Sequence, residues 1–86
     1  MPVLSRFYGI IIRMYFQQAE HNPPHIHAIH GEDVAVIDIC ENKVLDGQLP
    51  SKAIAMVKEW VNIHRGELLE MWNTQEFKLI PPLEKE

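Results

Sequence analysis

The sequence predicts an α+β fold: a small antiparallel sheet of three to four strands over residues 7–46, packed against one C-terminal helix, long or broken, over residues 50–75. Three observations predict it. The first half is rich in β-branched residues with alternating polarity. The links between its strand-like runs suit hairpins, not crossovers. The second half carries apolar residues at spacings of three and four. The whole of 1–86 reads as a single domain, with 47% hydrophobic and 23% charged residues.

Phe7 to Phe16 reads as the first strand, with Tyr8, Ile10, Ile12, Met14 and Phe16 on one apolar face. A loop closed by Pro23-Pro24 follows, since proline cannot donate to a ladder. His25 to His30 is a short second strand ending at Gly31. Asp33 to Cys40 is a third, with Val34, Val36, Asp38 and Cys40 on one face and Ala35, Ile37 and Ile39 on the other. Val44-Leu45 forms a fourth strand before Asp46-Gly47. Pro50 suits a helix start. From there Ile54, Val57, Val61, His64, Leu68, Met71 and Gln75 form one stripe, flanked by Trp60 and Trp72. Its phase survives Gly66, so the first expectation is one helix of roughly 25 residues, about 37 Å long; a break at Gly66 is the alternative. The expected core is Ile10, Ile12, Met14, Val34, Val36, Ile54, Val57, Val61 and Leu68. Leu79, Ile80 and Leu83 are expected to pack along an extended tail around Pro81-Pro82.

Charge narrows the function. Eight Lys+Arg against twelve Asp+Glu give −4. A generic polyanion coat should be basic, so charge does not support nucleic-acid binding. Residues 1–30 hold Arg6 and Arg13 against Glu20, while 31–86 hold six basic against eleven acidic residues. The one cysteine, Cys40, cannot form an internal disulfide and is read as a small buried group in a reduced, cytoplasmic protein. No stretch is long and apolar enough to span a membrane, and no secretory leader is expected. A core this small gains from dimerisation.

The chemistry-bearing stretch is Glu20-His21-Asn22-Pro23-Pro24-His25-Ile26-His27-Ala28-Ile29-His30, with four of the five histidines within ten residues. On a strand, His25 and His27 project from one face, about 6.5–7 Å apart at Cα. Two imidazoles so placed can converge on a metal ion, a phosphate, or opposite sides of a breaking bond. His21 and Glu20 are candidate third groups, and a divalent transition metal the candidate cofactor. Asp38 can pair with Arg13 or orient a histidine. The same histidines can instead order the Pro-rich turn by bonding loop carbonyls. His64 reads as a satisfied boundary residue, and Glu59, Glu67, Glu70 and Glu76 as a solvated helix face.

The runs Phe7-Tyr8-Gly9-Ile10-Ile11-Ile12-Arg13-Met14-Tyr15 and Glu20-His21-Asn22-Pro23-Pro24-His25-Ile26-His27-Ala28 carry a resemblance. So do Gly31-Glu32, Gly47-Gln48-Leu49-Pro50, Trp60, His64-Arg65, Glu67-Leu68, Trp72 and Ile80-Pro81-Pro82-Leu83. Together they resemble the prokaryotic domain-of-unknown-function family forty-one-sixty. His30 stands where the family often has tyrosine, which sets it behind His21, His25 and His27 as a site candidate. Gly66 departs from the family's usual residue there. The resemblance implies a two-gene unit with another small protein and a toxin–antitoxin-like role. Three functions follow as expectations. The first is an interaction module, as a homodimer or with the neighbouring gene's product. The others are a histidine-dependent metal-binding protein, and an RNA-cleaving enzyme using His21, His25 and His27.

Overall fold

A computed structural model of the chain describes residues 3–14 and 23–84. Five strands form one antiparallel meander: β1 (Val3–Phe7), β2 (Ile10–Arg13), β3 (His25–His30), β4 (Asp33–Asp38) and β5 (Lys43–Gly47). One helix follows, α1 (Ser51–Thr74). The class is α+β as expected, but the sheet has five strands, not three to four.

The extra strand comes from a hairpin inside the apolar run. Tyr8 and Gly9 both have positive φ, +48° and +79°. A two-residue turn of that hand matches the twist of the strands it joins. The chain therefore reverses between Phe7 and Ile10, which pair directly. Tyr8 sits in the turn, half exposed, and is not part of the expected apolar face. Phe16 lies outside the described residues.

Ile10, Ile12 and Met14 are buried as expected. Ile26, Ala28, Ala35, Ile37 and Ile39 join them beneath α1. The face of β4 is the reverse of the expected one. Val34 is 43% exposed and Val36 half-buried, while Ala35 and Ile37 face the helix. Pairing decides this: Ala35 lies opposite Ala28 and Ile37 opposite Ile26, both already on the inner face. Cys40 is an exposed free thiol, not a buried group.

On α1, Val57, Trp60, Val61, Leu68, Met71 and Trp72 are buried, and Ile54 packs partly against them. Pro50 lies just outside the helix, at its N-cap, and its carbonyl accepts the Ile54 N–H. The helix departs from helical geometry at His64 (φ −108°, ψ 17°), two residues before Gly66. Arg65 Nε donates to Ile39 O, just past the end of β4, at 3.0 Å beside this kink. The helix ends at Gln75, whose φ of +60° turns the chain and whose N–H bonds Met71 O.

The tail returns to the sheet. Ile80 N–H donates to Leu4 O at 2.7 Å, along the free edge of β1. Trp60 Nε1–H donates to Pro81 O at 2.9 Å. Ile80 and Leu83 are buried, whereas Leu79 is 78% exposed and does not pack as expected.

Candidate functional site

The candidate site starts at the diproline. Ile39 N–H donates to Pro24 O at 3.0 Å, extending the β3–β4 pairing one step beyond the strand. His25 Nδ1–H donates to Pro23 O at 2.8 Å. A carbonyl can only accept, so Nδ1 carries the proton and Nε2 is left to face a ligand. The His25 ring rests on Trp72, with centroids 4.9 Å apart. This first imidazole is therefore held from two sides before any ligand is considered.

His27 lies two residues on, and its ring centroid is 5.4 Å from that of His25. The two share one face of β3, as their spacing predicts, and at the His25 end that face meets Trp72 of α1. Burial, and then the neighbouring His25, lower the His27 pKa below 6.5. Both effects disfavour the charged ring.

Register supplies a residue that sequence reasoning left out of the site. Arg13 is the cross-strand partner of His27. Its Nε is enclosed and has no hydrogen-bond partner among the described residues. The signal for it was the hairpin. Once β2 and β3 pair, alternation puts Arg13 on the same face as His27.

Asp38 is nearly buried at the end of β4. It lies opposite His25 in the register, but its Oδ1 accepts the Cys40 and Glu41 N–H groups at 2.8 and 3.1 Å. Through that oxygen it closes the turn after β4, and among the described residues Arg13 Nε is not bonded to it. His30 faces the inner side, opposite Ile10, away from His25 and His27. His21 and Glu20 lie outside the described residues. Among the described residues, no group of three or more His, Cys, Asp or Glu side chains is placed to hold a metal ion. The Arg13 charge next to His27 also opposes a cation and favours an anion.

His64 is satisfied as expected, with Nδ1 3.1 Å from Glu67 Oε1 and its ring against Trp60. An apolar groove of about 440 Å³ lies elsewhere, between β1 and residues 79–82. Arg6 is the charged residue lining it, and no histidine reaches it. No helix among the described residues is long and apolar enough to cross a membrane.

No curated protein and no solved structure matches the chain. The pattern described as "Domain of unknown function (DUF4160)" matches residues 9–73, which include β2 to β5, the Arg13–His25–His27 face and almost all of α1. The chain belongs to that family.

Proposed function

We propose that the protein is a small interaction module that joins a partner protein, encoded beside it, in a toxin–antitoxin-like pair. The observation that carries this is the sheet face opposite α1. Ile11, Ile29 and Val34 stand in one cross-strand row there, with Ile11 and Ile29 half-buried and Val34 exposed. Apolar rows left open on a small domain mark contact surfaces. The two-gene arrangement implied by the family resemblance supplies a partner of the right kind.

The test is co-expression with the neighbouring gene product, followed by mass measurement of the purified species. A defined complex is expected. Val34→Lys should abolish it while leaving the thermal midpoint of the isolated chain nearly unchanged, because the side chain is exposed. A strict monomer that ignores the neighbour overturns the reading. A homodimer lost on Val34→Lys reassigns the face to a second copy.

A further inference from the structure

We propose that Arg13, His27 and His25 form a binding site for a phosphate group on the face that β2 and β3 share at the His25 end of the sheet. The three residues follow one another across that face. Arg13 pairs with His27 across β2 and β3, and the His27 ring lies 5.4 Å from that of His25. Each offers N–H groups or a charge suited to an oxyanion, and none is an acceptor when protonated.

The enclosed Nε of Arg13 is the strongest sign of a missing acceptor. A guanidinium N–H shut away from water without a partner costs stability. No carboxylate among the described residues bonds it. A phosphate oxygen would, with the planar guanidinium gripping two oxygens at once. His25 is already oriented for the same ligand. With Nδ1–H fixed on Pro23 O, protonation adds a second donor at Nε2, aimed away from that carbonyl.

The charged groups around the site fit this reading. Asp38 faces His25 from β4, but its Oδ1 is occupied by two backbone N–H groups. Asp46 lies beyond Val36 on β5, and its Oδ1 accepts the Gly47 N–H. Lys43, opposite Asp38, is paired with Glu41. From the helix, uncharged Trp72 meets His25. Among the described residues the Asp38 and Asp46 carboxylates are met by backbone N–H groups, and neither bonds the Arg13 Nε.

Titration of the full chain with inorganic phosphate, chloride replacing it at constant ionic strength, tests the site. The readout is the NMR signals of the histidine ring protons at pH 6. Saturable shifts are expected at His25 and His27 and not at His64, which serves as an internal control. Arg13→Gln should weaken binding about tenfold or more, the loss expected for a charge-assisted hydrogen bond. Arg6→Gln on β1 should change nothing. Binding should weaken as pH rises through the imidazole range. A nucleoside 3′-monophosphate forms the second arm. Tighter binding than phosphate, with a change in Trp72 fluorescence, assigns the group to a nucleotide; equal binding assigns it to phosphate alone.

Three results overturn the site: no saturation by either probe, equal affinity in Arg13→Gln with its native circular dichroism retained, or binding indifferent to pH. The test uses the isolated chain, so its outcome is separate from that of the partner experiment.

Discussion

Gly31 and Gly47 have similar backbone angles, φ +62° and +75°, and different surroundings. A Cβ on Gly31 meets nothing within 4 Å, whereas one on Gly47 would lie 2.0 Å from Val34 O. Gly31→Ala should therefore cost only the left-handed conformation, about 1–2 kcal/mol. Gly47→Ala must also push β5 off β4, and should cost roughly 3 kcal/mol or more. Urea denaturation of both variants checks the difference; equal losses would show that β5 shifts freely. His27 makes the second prediction at this scale. Its folded pKa lies below the unfolded value of 6.5. Between those two values the unfolded chain binds more protons, so stability rises with pH. The contribution is complete above 6.5 and is lost as pH falls toward the lowered folded value. His27→Asn should flatten the stability–pH curve in that window. The histidine spacing was legible because period two is fixed by strand geometry. Arg13 was not, because its place in the site depends on a partner strand twelve or more residues away.

At the scale of elements, local pattern served the helix better than the strands. The expected limits of 50–75 lie within a residue of Ser51–Thr74, since the apolar stripe keeps its phase from Ile54 to Met71. The kink falls at His64 rather than Gly66, next to Arg65, whose Nε donates to Ile39 O. Gly66 itself has helical geometry and open space where a Cβ would stand. Gly66→Ala should thus stabilise the protein by roughly 0.5–1 kcal/mol. A raised thermal midpoint without change in spectrum is the expected result; a lower midpoint would show that the kink needs glycine. The first strand misled for an opposite reason. Five alternating apolar residues concealed a two-residue turn whose only local marker was Gly9. The faces of β4 were likewise undecidable from Val34, Val36 and Asp38 alone. Ala35 and Ile37 are inside because Ala28 and Ile26 are, and pairing rather than side-chain size settled the matter.

For the whole molecule, two protective devices guard the sheet edges. The tail bonds the outer side of β1 through Ile80, and a register irregularity between Val36 and Ile37 disturbs the pairing of β5. Bulged or covered edges resist further strand addition. Removing residues 79–86 should expose the β1 edge and forfeit the burial of Ile80 and Leu83. Fully burying one such side chain is worth about 1.5–3 kcal/mol, which is a large share of a domain this small. Denaturation midpoint and light scattering of the truncated chain should show both a loss of stability and self-association.

The order of elements has a further consequence during synthesis. Every strand pairs with its neighbour in sequence, so the meander can zip together as it leaves the ribosome. Its apolar floor has no cover until α1 follows. At about 5–20 residues per second, the 24 residues of the helix take on the order of 1–5 s to emerge. For that interval a nascent sheet bearing Ile10, Ile12, Ile26 and Ile37 has its apolar face bare. Docking of the helix is thus the step that covers the sheet, and mutations that slow it should reduce yield in the cell more than they reduce equilibrium stability in the tube.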